Sequence, residues 1–203
     1  MTYQIISDST CDLSPEQVKK YNIHLMPLYV QLGDKTFRDG VDIHPDDIYA
    51  HVAAGGDLAA TAAVNLADYV QVFSEYSRKA DFVIHVTISS DFSCCYQNAC
   101  LAAADYDNVY VVDSRNLSTG HGLVVLEAVR LAESGMEPKK IVETLNELTA
   151  RARKLHPRPA GIHEKGRPLL RRGDARRKPS EAAALHSGQG RQNGRGEKVP
   201  RQL

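Results

Sequence analysis

Apolar and polar positions alternate in blocks along the first three quarters of the chain. Tyr3-Gln4-Ile5-Ile6 is a short apolar run that reads as a buried strand, and the polar stretch Ser7-Asp8-Ser9-Thr10 ends it. A helix is expected to start near Ser14-Pro15-Glu16, because Ser caps a helix start and Pro fits its first turn. Ile23 to Leu32 is apolar and partly β-branched, which predicts a second strand. Asp39-Gly40 supplies turn chemistry, and His44-Pro45-Asp46-Asp47 opens a helix through Ile48 and Val52. From Asp68 to Lys79, Tyr69, Val72, Phe73 and Tyr76 recur at helical spacing on one face. Phe82 to Ile88 is almost continuously apolar, the mark of a central parallel strand covered on both sides. Polar Ser89 to Ser93 follows, then a helix of small residues through Ala99 and Ala104. Val109 to Asp113 reads as the next strand, leading through Ser114 and Gly120 into a helix that reaches about Glu133. Glu137-Pro138 starts another, over Ile141 to Leu148.

Strands alternating with helices imply βαβ crossovers, so the expected fold class is α/β, an open and mainly parallel sheet with helices on both faces. Ligands in such folds sit beyond the carboxyl ends of the strands. The loops there are Ser7-Asp8-Ser9-Thr10, Thr87 to Ser93, and Asp113-Ser114. From Leu155 onward the periodicity disappears into Arg, Gly and Pro, with too little apolar surface to offset the entropy of ordering. The expected organisation is therefore an α/β lobe over residues 1–154 and a disordered basic tail over 155–203.

Composition sharpens this division. The 203 residues are 42% hydrophobic, enough for a core. No stretch approaches the roughly 20 apolar residues of a membrane span, and the first residues lack a basic start and apolar run of the secretory kind, so a cytoplasmic location is expected. Cys11, Cys94, Cys95 and Cys100 form no Cys-x-x-Cys pair and read as reduced packing residues, with no metal or other cofactor implied. The net charge of zero hides an asymmetry. Residues 154–203 hold 13 Lys and Arg against 4 Asp and Glu, leaving 12 against 21 for the first 153. Such a basic segment resembles a nucleic-acid arm, but it lacks interleaved aromatics, and no nucleic-acid partner is expected.

Candidate chemistry gathers at the strand ends. Ser9, Thr10, Ser89 and Ser90 have the form of nucleophiles or phosphate binders, yet hydroxyls there usually cap the next helix. Asp8 and Asp113 suit acid–base work or, more commonly, turn and cap roles. A hydrolase or transferase acting on a phosphorylated or acyl substrate through these Ser and Asp residues is the alternative functional reading. His24, His44, His51, His85 and His121 lack metal-ligand spacing. Cys94 and Cys95 at a helix start are either reactive thiols or packing groups.

Four motifs in order resemble the DegV family. They are Ser7-Asp8-Ser9-Thr10-Cys11-Asp12-Leu13, Asp39-Gly40-Val41-Asp42, Ile88-Ser89-Ser90-Asp91-Phe92-Ser93 followed by Tyr96-Gln97-Asn98-Ala99, and Val112-Asp113-Ser114-Arg115 leading to Gly120 and Gly122. The resemblance covers about the first 150 residues. It implies an α/β first lobe, a second lobe, and a long-chain fatty acid held between them for presentation to a fatty acid kinase. A carrier, not an enzyme, is thus expected. By the same resemblance Thr61 and Ser93 hold the carboxylate, and Ser9, Thr10, Ser90, Cys94 and His121 lie near the ligand mouth. Two departures stand out: Ala62-Ala63-Val64-Asn65 replaces Ser-Gln-Pro-Ser, and Cys94-Cys95 replaces Gly-Thr.

The second lobe of the family would open near residue 155 with a Gly-Gly-Arg-Cys-Ser element, which is absent. Choosing permitted codons for Lys154 to Leu170 and displacing the reading by one base yields a segment that ends in that string. Residues 155–203 are accordingly expected to be a non-native tail produced by a one-base slip near Arg153-Lys154, with binding impaired by the loss of the second lobe.

Overall fold

The longest apolar runs of the sequence become the middle of a parallel sheet. In the computed structural model, which describes residues 1–155, the chain passes through β1 (Tyr3–Asp8), a 3-10 turn (Ser9–Cys11), α1 (Pro15–Lys20), β2 (His24–Met26), β3 (Tyr29–Leu32), β4 (Lys35–Arg38) and α2 (Pro45–Ala53). It continues through β5 (Ala60–Ala62), α3 (Leu66–Tyr76), β6 (Phe82–Thr87), α4 (Cys95–Ala103), β7 (Val109–Asp113), α5 (Ser118–Glu133) and α6 (Pro138–Leu155). Four strands form a parallel sheet in the order β2-β1-β6-β7. The expected α/β fold is present, with helices on both faces.

All six residues of β6 are buried, because alternate side chains enter different cores. Phe82, Ile84 and Val86 join Val125 and Ala128 of α5 and Ile141 and Leu145 of α6. Val83 joins Ile6 of β1, Tyr69 and Phe73 of α3, and Cys95 and Ala99 of α4. A strand covered on both faces has no polar alternation to display.

The helix starts follow the sequence signals. Ser14 Oγ accepts from Gln17 N–H at 3.3 Å while Gln17 Oε1 accepts from Ser14 N–H at 3.0 Å, a reciprocal capping box. Asn65 caps α3 by accepting from Asp68 N–H at 2.9 Å.

One expected element divides. The apolar stretch from Ile23 to Leu32 is two strands in two sheets: β2 lies parallel to β1, whereas β3 pairs antiparallel with β4 and β5 in a second sheet of order β4-β3-β5. Pro27 stands between them and offers no N–H to a ladder, so the first pairing stops there. The pattern of apolar positions did not reveal β4 and β5, which have four and three residues and little apolar content. The last helix also runs further than its apolar pattern indicated, reaching Leu155. The expected disordered, non-native tail falls on residues that, from 156 onward, lie outside the described ones. No helix among the described residues is long and apolar enough to cross a membrane.

Candidate functional site

Beyond the carboxyl ends of β1, β6 and β7 lies a cluster of buried polar residues: Ser7, Asp8, Thr87, Ser89, Asp113 and Ser114. At its centre is the loop from Ile88 to Ser93, which carries the chain from β6 into α4. Every backbone N–H of this loop has a partner. Ile88 N–H donates to Asp8 Oδ2 at 2.8 Å, and Ser90 N–H to Asp113 Oδ1 at 3.2 Å. Ser89 N–H donates to the carbonyl of Asn116 at 3.0 Å. The remaining three turn inward on Ser89: Asp91 N–H reaches its hydroxyl at 3.2 Å, while Phe92 and Ser93 N–H reach its carbonyl at 2.9 and 3.3 Å. Buried backbone groups demand such pairing, and here side chains from two neighbouring strands provide part of it.

The two carboxylates are themselves braced. Asp8 is fully buried and also accepts from Tyr69 Oη at 3.0 Å, with His85 Nε2 at 3.4 Å from the same oxygen. Burial above all, and then the nearby Asp8 charge, pushes the Tyr69 phenol far above the ordinary tyrosine range, so it serves as a fixed donor. Asp113 accepts from Arg115 N–H at 2.8 Å, and its other oxygen lies 2.9 Å from Arg115 Nε. Arg115 Nη1 is in turn 3.8 Å from Asp91 Oδ2. Arg115 sits at φ 54° and Ser118 at φ 56°, left-handed conformations that non-glycine residues seldom adopt.

Ser93 stands two residues before the first residue of α4, half-buried, with Cys94 at the cap position between them. The Ser93 hydroxyl is 3.1 Å from Cys95 Sγ and accepts from Cys95 N–H at 3.3 Å. The first N–H groups of a helix lack partners within it and carry the positive end of its dipole, so a hydroxyl there belongs to a surface that attracts anions. Thr61 is exposed on β5, opposite Val30 of β3. The segment that leaves β5 is tied to α4 by Asn98 Nδ2, which donates to the Val64 carbonyl at 2.8 Å.

The other sequence candidates have varied settings. Ser9 donates to Asp39 Oδ2 at 2.6 Å and accepts from Leu28 N–H at 3.2 Å, stapling the 3-10 turn to the start of the second sheet. Thr10 is half-buried, and its hydroxyl oxygen has no hydrogen-bond partner. Ser90 engages Asp113 through its backbone, as above. Cys94 is exposed, whereas Cys95 is buried with its thiol pushed up by desolvation and so held as a neutral packing group. His121 is fully buried on α5, its Nε2 at 3.1 Å from the Val86 carbonyl and 3.2 Å from Ser7 Oγ. The Ser7–His121 pair resembles a nucleophile and base, but neither residue has exposed surface for a substrate to reach. Beside it, a Cβ on Gly122 would come 2.5 Å from the Cys11 carbonyl, so glycine is what lets α5 press against the 3-10 turn.

Sequence reasoning singled out Asp8, Asp113 and Ser89 but gave no role to Tyr69, His85 or Asn116 at the strand ends. Tyr69 lay hidden in the apolar stripe of α3; its only advance signal was the phenol, which needs a partner when buried. Among the described residues no group of three or more His, Cys, Asp and Glu is placed to hold a metal ion.

Comparison with known proteins agrees with this architecture. The profile of the DegV family, described as uncharacterised protein, DegV family, matches residues 2–155. A DegV domain-containing protein of Clostridium perfringens is 38% identical over 151 residues, which cover 71% of this chain and 54% of that one. Another, of Caldanaerobacter subterraneus, is 32% identical over 151 residues, covering 73% and 54%. The chain thus spans about half the length of the curated relatives it matches. Among solved structures, a DegV family protein from Thermus thermophilus described for its fatty acid binding superposes with a TM-score of 0.69 at 32% identity, covering 74% of this chain and 54% of that one. A stearic acid-binding protein from Eubacterium ventriosum gives 0.65 at 32% identity, covering 71% and 52%. DegV of Bacillus subtilis, described as a fatty acid binding protein, gives 0.68 at 25% identity, covering 74% and 54%. By the match over residues 2–155, together with the fold and the strand-end motifs, this chain belongs to the DegV family.

Proposed function

We propose that this chain supplies the first lobe of a carrier for a long-chain fatty acid and that Thr61 and Ser93 hold the carboxylate. The observation that carries the reading is the position of Ser93, a hydroxyl ahead of α4 on a loop whose backbone is fully hydrogen-bonded. The fatty-acid-binding descriptions of the structural neighbours support it. A carboxylate leaving water needs donors, and a hydroxyl with helix N–H groups is such a set. The acyl chain contributes most of the affinity, at about 0.8 kcal/mol per buried methylene. Phosphorylation of the bound acid belongs to a fatty acid kinase partner, with the carrier presenting the carboxylate and taking no catalytic part.

The relatives' other half would provide the facing wall of the acyl tunnel, which the lobe matched over residues 2–155 does not supply by itself. The lobe alone is therefore expected to bind more weakly than a two-lobed relative. Mass spectrometry of the organic extract, comparing this chain with a version whose frame is restored at residue 154, tests both statements. Long-chain acid on the restored protein and little on this chain is expected. No lipid on either protein overturns the carrier reading and favours the hydrolase or transferase alternative.

A further inference from the structure

The loop that bears Ser93 is suspended between two buried carboxylates from opposite flanks. Asp8 comes from β1 and takes Ile88 N–H; Asp113 comes from β7 and takes Ser90 N–H. Both residues are at least nine-tenths buried, at 0% and 6% exposure. Removing a carboxylate from water is costly, and a neutral amide would accept an N–H with less penalty. What a carboxylate adds is strength: charge-assisted bonds are shorter and about twice as strong as neutral ones. Each charge is also oriented by a second donor, Tyr69 Oη for Asp8 and Arg115 for Asp113. The remaining loop amides close on Ser89 and Asn116, so these two carboxylates are the side chains that take loop N–H groups from other strands.

We propose that Asp8 and Asp113 are positioning residues for the anion site. They hold Ile88 to Ser93 in the shape that presents the Ser93 hydroxyl, ahead of α4, to a ligand carboxylate. The inference rests on the fatty-acid reading and deepens it by naming what makes the site selective for an acid headgroup.

The test uses the full chain and the variants Asp113→Asn and Asp8→Asn, with oleate and oleyl alcohol as probes that share a tail and differ in headgroup. Hydrogen exchange of the 88–93 segment is followed in parallel, without ligand. In the variants this segment is expected to exchange faster while Phe82 to Thr87 stays protected. Oleate affinity is expected to fall about tenfold as a charge-assisted anchor becomes a neutral one, with oleyl alcohol affinity changed less than twofold. Asp113 lies at the sheet edge and is the variant that keeps the test valid if Asp8→Asn does not fold. An unchanged exchange rate in 88–93 overturns the inference, as does an equal loss for acid and alcohol, which would mark a purely structural role. Wild-type chain that takes up oleyl alcohol but not oleate overturns the carboxylate reading itself and the inference with it, as does a frame-restored protein that takes up neither.

Discussion

The two sheets of the lobe bury their strands very differently. β6 is buried at every position, with α3 and α4 on one face and α5 and α6 on the other. β4 exposes three of its four residues and β5 two of three, and the helix that follows β4, α2, has no buried residue. The parallel sheet can direct its carboxyl ends into a dry polar cluster because helices seal both faces. The antiparallel sheet has no such cover, so its polar groups remain in contact with water and its interactions are correspondingly weak. The difference locates stability and the Ser93 side of the site in the same half of the lobe, with Thr61 on the small sheet.

Five substitutions and a pH series test that contrast. Phe73→Ala removes a fully buried ring from the core between α3 and the parallel sheet and is expected to cost about 3–5 kcal/mol, read from urea denaturation. A loss below about 1 kcal/mol would show that the tight parallel core is not where stability resides. Next come two tyrosines that each donate to a carboxylate, Tyr69 to Asp8 and Tyr29 to Asp68. Tyr69→Phe leaves a buried acceptor without its donor and should cost about 1–3 kcal/mol, whereas Tyr29→Phe on the small sheet should cost less than about 1 kcal/mol. Equal losses would erase the distinction.

Acid gives a third separation. Desolvation holds the His121 imidazole below its ordinary pKa, and the same cause acts on His24. A histidine whose folded pKa lies under its unfolded value of roughly 6.5 binds fewer protons when folded, so its stabilising contribution is present above that pH and is lost as pH falls through the folded value. In the small sheet region Arg38 holds Asp42 below the usual carboxylate range, through hydrogen bonds above all, so that contribution persists to lower pH and disappears only under stronger acid. Urea midpoints between pH 7.5 and 5 should therefore decline in the native chain and decline less in His121→Gln. A flat profile for the native chain would remove His121 and His24 as the origin. The smallest effect is expected at Tyr49 of α2, which is 71% exposed: Tyr49→Ser should change stability by no more than about 0.5 kcal/mol.

The same contrast explains what could be read from the sequence. β1, β6, β7 and the larger helices were legible because burial on both faces writes continuous apolar runs and helical stripes. Pro27 marked the division between β2 and β3, but an apolar run on either side of it masked the signal. β4 and β5 left almost no trace, since short exposed strands acquire their order from pairing with β3. In the site, the residue types of Asp8 and Asp113 left acid–base work and turn or cap roles open, and Asp8 makes no side-chain cap bond to the 3-10 turn that follows it. Their shared task could not be read, because Ile88 meets Asp8 across 80 positions of sequence, and only the β2-β1-β6-β7 order brings them together. Thr61 and Ser93 were identified by motif likeness; nothing in their residue type distinguishes them from other surface hydroxyls.

The strand order carries one more consequence, for solubility and assembly. A four-stranded open sheet ends in two edges, and no strand among the described residues pairs with the outer side of β2 or of β7. β2, with three residues, offers a poor template for an added strand. β7, with five residues and the run Val109-Tyr110-Val111-Val112, offers a longer one. Concentrated solutions of this chain should therefore associate first along β7, and a charged residue introduced there on the open edge is the simplest way to keep the lobe monodisperse.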